Sequence, residues 1–313
     1  MRRTFAEAAE ARPLIFEVSP PSQRSPPRRS ADHLAEIVDL VRSLPRVDAL
    51  DVPELIDENH EGRPFYRSGD TRPFASSLQE RAERDTIVNK VIAHLASKEV
   101  LEHWARDTVA LSLRHAVLVG GTSRFIPYPG PPVVEADRTC RSVFEAVDGR
   151  IGNIAIPQRT GEAHRLLSKT RAGARFFTTQ ILFDSGPVRS MIQEYDLLCR
   201  KASIRPGAVV LCFAPLIDEG DAQFIRWLGA DIPEEVERSI LSGTEAEATE
   251  RSTAHALRVW EEVRRSIAEE GTEVPVGVSV EEITPRHFAA AADMLRTFAR
   301  EIDREPPSGI PVG

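Results

Sequence analysis

Glu17 stands inside the apolar run Leu14-Ile15-Phe16-Glu17-Val18, with no cation within three positions. If that run folds into a strand lining a core, the carboxyl loses water, and desolvation disfavours its charged form. Such a group is a general acid usable near neutral pH. The competing reading is an edge carboxylate that closes a loop. Gln180 sits in a second apolar run, Phe176-Phe177-Thr178-Thr179-Gln180-Ile181-Leu182. A buried amide needs hydrogen-bond partners, which either a flat ligand with donors and acceptors on its edge or the neighbouring backbone would supply.

Four further positions are candidates. Gln223 and Trp227, in Gln223-Phe224-Ile225-Arg226-Trp227, lie four apart and share a helix face suited to a flat ligand, unless the Trp packs into the core wall. His94 ends the run Val91-Ile92-Ala93-His94, where it is either functional or a hydrogen-bonded core histidine. Asp51-Val52-Pro53-Glu54 closes another apolar run with carboxylates, and Glu54 reads as a ligand contact or as a solvated loop residue. The amides of Gly120-Gly121-Thr122-Ser123 could cradle an anion. This stretch is neither a G-x-G-x-x-G nor a Walker loop, and no Ser/His/Asp constellation or metal-ligand spacing is visible.

The elements that must position these residues alternate. Strands are expected at 14–18, 47–52, 87–94, 115–119, 151–156, 176–182, 208–213 and 274–280. Amphipathic helices at 31–44, 98–113, 135–147, 188–201 and 286–302 lie between them. Ser30 is the expected N-cap of the first helix, and Gly149, Gly173 and Gly207 mark helix-to-strand turns. Eight strands alternating with helices predict an α/β fold, a (β/α)8 TIM barrel forming a single domain over 1–313. Residues 1–12 are an N-terminal extension, 306–313 a flexible tail, and 229–271 holds extra helices after strand seven. The segments 20–29 and 53–74 read as long loops leaving the carboxyl ends of strands one and two, the end at which barrels build active sites.

Composition narrows the partner. The net charge of -8 argues against nucleic acid and anionic membrane surfaces, both of which select a basic face, and leaves a small molecule. Cys140, Cys199 and Cys212 form no C-x-x-C pair, so no metal site or disulfide framework is expected. No apolar run approaches the ~20 residues of a membrane span. A cytoplasmic protein, a monomer or small homo-oligomer, is the expectation.

Two segments resemble a known family. Ala172-Gly173-Ala174-Arg175-Phe176-Phe177-Thr178-Thr179-Gln180-Ile181-Leu182-Phe183-Asp184 is similar to the AGA-x-F-x-x-TQ-x-x-FD segment of methylenetetrahydrofolate reductases, and Phe16-Glu17-Val18-Ser19-Pro20-Pro21 resembles their FEFFPP strand. His94 matches the position of the family's PHLT histidine, Lys169 its LK-x-K-x-x-AGA lysine, and Gln223 with Trp227 its Q-x-x-x-F segment. The resemblance implies a folate substrate, Glu17 as the proton donor that helps open the methylene bridge, and Gln180 as a pterin contact. Gln223, Trp227 and Glu54 would be further substrate contacts, with His94, Gly121, Thr122 and Lys169 on the cofactor side.

The flavin signatures are altered. Gly120-Gly121-Thr122 replaces R-G-D, Ile156-Pro157-Gln158 replaces Y-P-E, and Val276-Gly277-Val278-Ser279-Val280 replaces HFYTLN. The resemblance therefore implies a branch that takes hydride directly from NADH or NADPH without a metal. An FAD-dependent enzyme of the family and a non-redox folate-binding or methyl-transferring barrel remain as alternatives.

Overall fold

The computed structural model describes residues 3–22, 24–59, 61–123 and 125–304; the expected tail at 306–313 lies outside them. Ten strands follow in chain order: β1 (Leu14–Glu17), β2 (Ala49–Val52), β3 (Ile56–Glu58), β4 (Pro64–Tyr66), β5 (Asp85–Val91), β6 (His115–Val119), β7 (Arg150–Ala155), β8 (Ala174–Ile181), β9 (Ala208–Phe213) and β10 (Val276–Glu281). The helices are α1 (Phe5–Ala8), α2 (Pro27–Ser43), α3 (Arg72–Ala82), α4 (Lys98–Ala110), α5 (Val133–Glu145), α6 (Glu162–Ala172), α7 (Ser185–Ala202), α8 (Glu219–Trp227), α9 (Glu234–Leu241), α10 (Glu245–Glu270) and α11 (Phe288–Glu301). All strands but β3 and β4 pair in parallel in the order β1-β2-β5-β6-β7-β8-β9-β10 and back to β1, a closed eight-stranded (β/α)8 barrel.

Strand alternation creates two cores. Outward residues such as Leu14, Phe16, Leu50, Val88, Val209 and Leu211 pack beneath the helices. Inward residues Ile15, Ala49, Ile87, Val117, Phe176, Ala208 and Val210 fill the barrel itself. Gly152 is required there, because an added Cβ would stand 2.4 Å from the Phe176 ring. On the outer layer, α2 places Ile37, Val38 and Val41 on one buried stripe, each side chain contributing roughly 1.5–3 kcal/mol of gross burial energy.

The N-terminal extension plugs the amino end of the barrel. Phe5 is fully buried, makes edge contacts with Phe176 and His115, and donates its backbone N–H to Asp85 Oδ2 at 2.8 Å. Burying this end leaves the opposite, carboxyl end as the open mouth.

Two expectations need correction. Helix α2 begins at Pro27, four residues before the expected cap Ser30 allows, because proline fits the first helical turn, where its missing N–H costs nothing. Residues 53–74 form no plain loop: β3 and β4 pair as an antiparallel hairpin, and α3 begins at Arg72. The crossover from β9 to β10 runs through α8, α9 and the 26-residue α10, whose charged sequence hides a buried face of His255, Ala256, Val259, Trp260 and Val263.

Candidate active site

Above the apolar interior the inward positions turn polar. Two residues beyond Ile15, Ala49, Ile87, Phe176 and Val210 come Glu17, Asp51, Asn89, Thr178 and Cys212, and Glu281 completes the ring from β10. Of these, Glu17, Asn89, Thr178 and Glu281, with the apolar Val119 and Ile154 between them, floor a cavity of about 800 Å³ at the carboxyl mouth, within the ~300–1,000 Å³ typical of small-molecule sites.

Glu17 is the register partner of both Asp51 and Glu281. Burial pushes its carboxyl up to about 7, so at neutral pH a large fraction carries a proton. Asp51 is pushed well above the usual carboxylate range by burial and by the Glu17 charge, against the Asn89 hydrogen bond. Glu281 rises for the same two reasons, with a further contribution from Asp51.

The walls come from four elements. His33 of α2 lies 3.3 Å from Glu282 Oε2, and Glu282 also accepts from the Ser19 backbone N–H at 3.1 Å. Burial would lower the His33 pKa, but Glu282 and Glu36 together lift it. Glu54 is pinned by Lys90 Nζ at 2.6 Å and by the Val91 N–H at 2.8 Å, so it is neither a loose loop residue nor a free carboxylate. Phe224 and Trp227 of α8 stack at 5.7 Å and 14° on the rim, with Trp227 59% exposed. Gln180 lines the mouth, its Nε2 donating to Leu228 O at 2.5 Å and tying the end of α8 over the barrel.

The structure thus brings Glu17, Gln180, Glu54 and Trp227 to one cavity. Gln223 is exposed on α8 and does not line it; residues three and four apart on that helix, Phe224, Trp227 and Leu228, do. His94, Gly121 and Thr122 meet elsewhere. Glu58 of β3 accepts at 2.7 Å from both Thr122 Oγ1 and Tyr128 OH and lies 2.8 Å from His94 Nε2. Burial would raise Glu58, but these hydrogen bonds hold its carboxyl below the usual range.

The expected anion cradle is already filled. The N–H groups of Thr122 and Ser123 point to Tyr128 OH at 3.1 and 3.4 Å, and Tyr128 packs so closely on Gly121 that a Cβ there would lie 2.1 Å from its ring. Lys169 lies on α6 outside the barrel, its Nζ donating to Ile154 O at 2.7 Å. Burial lowers its pKa, while Glu162 and Asp137 oppose that shift.

Sequence reasoning passed over Glu281, Glu282, His33, Asn89 and Thr178. The Glu281-Glu282 pair directly after an apolar strand repeats the Glu17 signal and was the available clue. The structure also assembles Asp218, Asp221 and His287 with donor atoms within 4.8 Å of one another, a grouping no sequence spacing announces. Its acids have other duties: Asp218 and Asp221 form the capping box of α8, and Arg286 pairs with Asp218.

No protein-family model and no curated protein matches the sequence. Among solved structures, the chain is similar to one described as an uncharacterized protein from Clostridium thermocellum that binds two copies of 5-methyl-5,6,7,8-tetrahydrofolic acid. The TM-score is 0.76 at 15% identity, over 94% of this chain and 98% of that one. At this identity the likeness is one of fold: end to end, the two chains share the barrel architecture.

Proposed function

We propose that this protein binds a reduced folate in the mouth of the barrel and reduces 5,10-methylenetetrahydrofolate to 5-methyltetrahydrofolate, with hydride from NADH or NADPH and no resident flavin. The observation that carries this reading is Glu17, a carboxyl titrating at about 7 on the floor of a cavity of about 800 Å³ whose rim holds a flat aromatic pair. The folate-binding structural neighbour supports the ligand class. The sequence resemblance supports the reaction.

In this scheme the pterin ring lies in the mouth with its polar edge toward Gln180 and Asn89, and the aminobenzoyl part extends toward Phe224 and Trp227. Glu17 donates its proton to the bridging nitrogen as the bond from that nitrogen to the methylene carbon breaks, leaving an iminium on the pterin side. The nicotinamide supplies a hydride to the iminium carbon, which becomes the methyl group. Glu17, now a carboxylate, regains a proton before the next cycle. Holding the reactants in contact supplies much of the acceleration.

The resident-flavin alternative fits less well. The loop after β6 has spent its amides on Tyr128 and sits beside the Glu58 carboxylate, which would repel a diphosphate. The arginines that line the cavity are Arg29 and Arg67. They are the candidates for holding the phosphates of a dinucleotide.

The test is an absorbance spectrum of the purified protein followed by NADH and NADPH oxidation with methylenetetrahydrofolate. A colourless protein that oxidises either only when the folate is present, and loses this with Glu17→Gln, is the expected result. A yellow protein restores the flavin reading. A colourless, inactive protein that still binds 5-methyltetrahydrofolate leaves the non-redox barrel, a second reading that the neighbour's binding of the methylated product form favours.

A further inference from the structure

Glu17 must be neutral when the folate arrives and must be neutral again after each proton it gives up. The structure surrounds it with groups that bear on both requirements. Glu281 and Asp51 flank it in register on β10 and β2, and adjacent strands are ~4.8 Å apart with register partners on the same face. All three carboxyl groups therefore share one patch of the barrel floor. Asp51 is 1% exposed, and its Oδ1 is buried with no hydrogen-bond partner. A buried carboxylate oxygen left so is costly, and a proton on the carboxyl relieves that cost. Glu281 borders the cavity, where water or ligand can reach it.

The other groups around the floor supply no countercharge. Asn89, Thr178 and Gln180 are neutral, and the Cys212 thiol beside Glu281 is pushed well up by burial and by Glu281 and Glu17. Lys90 stands on the other face of β5, held by Glu54. His33 is engaged with Glu282. Among the described residues, the floor trio does not converge as a set of metal donors; the one grouping with atoms within 4.8 Å is Asp218, Asp221 and His287. Three adjacent carboxyls without a cation cannot all ionise near neutral pH, and they release their protons as a unit.

We propose that Asp51 and Glu281 are positioning residues for proton delivery: both share protons with Glu17 and keep it in the acid form, and Glu281, which borders the cavity, passes it a proton after turnover. This rests on the reductase reading for its chemistry. The balance is simple. Glu17 loses one proton to the folate nitrogen; Glu281 transfers one to Glu17; Glu281 takes one from solvent. No oxidant or further reductant is involved.

Two measurements on Glu281→Gln and Asp51→Asn test it. The first is the pH profile of kcat/KM for methylenetetrahydrofolate reduction. A missing neighbour removes a site on which the first negative charge can reside, so the high-pH limb should move down by about one pH unit or more in each variant. A loss of rate with the limb unmoved in both variants would make the two residues merely structural and overturn the proposal.

The second measurement needs no turnover: infrared titration of the protonated-carboxyl stretch in the ligand-free protein. Wild type should keep protonated-carboxyl intensity through pH 7, and each amide variant should lose the Glu17 band at lower pH. Identical Glu17 titration in wild type and both variants overturns proton sharing. If the bands shift as expected while the wild type reduces no folate, proton sharing stands and the reductase reading falls.

Discussion

The Glu17 carbonyl accepts the backbone N–H of Glu282 at 2.9 Å, while the Glu17 side chain shares its register line with Glu281. One strand junction thus fixes the acid of the cavity floor, its neighbour, and the buried carboxylate that holds His33. The β1–β10 seam, where the barrel closes on itself, is therefore the most chemically loaded part of the molecule.

Replacing Glu17 by Gln keeps shape and hydrogen bonding but removes the transferable proton. Reductase activity should fall by roughly 10²–10⁴, the usual worth of a general acid. Affinity for 5-methyltetrahydrofolate, measured by calorimetry, should stay within about threefold. Loss of binding in step with activity would assign Glu17 to ligand affinity rather than proton transfer.

On the proposed reductase reading the acid form of Glu17 is the active one, and burial pushes its carboxyl up to about 7, so kcat/KM should be flat below that pH and fall above it. The fall should steepen toward tenfold per unit well above it. A profile that rises through neutral pH would require a base in its place.

Trp227 lies on the rim and is largely exposed, so its removal costs the fold little. Trp227→Ala should weaken 5-methyltetrahydrofolate binding by roughly 3–10-fold, the scale of one aromatic stacking contact, with the melting temperature nearly unchanged. Unaltered binding would place the folate away from α8.

The cluster of Glu58, Thr122, His94 and Tyr128 holds the β3–β4 hairpin against the loop after β6. Thr122→Val should lower stability by no more than about 1 kcal/mol, the net worth of one hydrogen bond at a partly exposed carboxylate, without changing the KM for NADH or NADPH. A raised nicotinamide KM at unchanged stability would return Thr122 to the cofactor site.

Asp137 of α5 is fully buried, with Oδ1 accepting from Asn153 Nδ2 at 2.9 Å and Oδ2 unpartnered. Burial raises its carboxyl to about 7. Between its unfolded value, about 4, and 7 the folded chain holds a proton that the unfolded chain has released, so stability falls as pH rises through that window and the loss is complete above it. Asp137→Asn should melt above wild type near pH 8, by on the order of 1–3 kcal/mol, and close to it near pH 5. Melting below wild type at both pH values would show that the hydrogen bond to Asn153, rather than the charge, is what matters.

The barrel was legible in the chain because its signals are local. Alternating apolar runs and amphipathic stretches follow from strand and helix periodicity, and the glycine turns from backbone freedom: Gly173 carries φ +131° at the end of α6. Glu17 and Gln180 could be singled out for the same reason, since a polar residue inside an apolar strand is conspicuous in one dimension.

What the sequence could not supply was proximity between distant segments. Closure of β10 onto β1 sets Glu281 beside Glu17 across more than 260 residues, and the β3–β4 hairpin carries Glu58 to the loop after β6, where it gathers His94 and Thr122 into one hydrogen-bonded cluster. Helix pitch on α8 turns Phe224 and Trp227 toward the cavity and Gln223 toward solvent. Periodicity specifies which residues face inward; barrel closure and helix rotation, set by global packing, decide which of them meet.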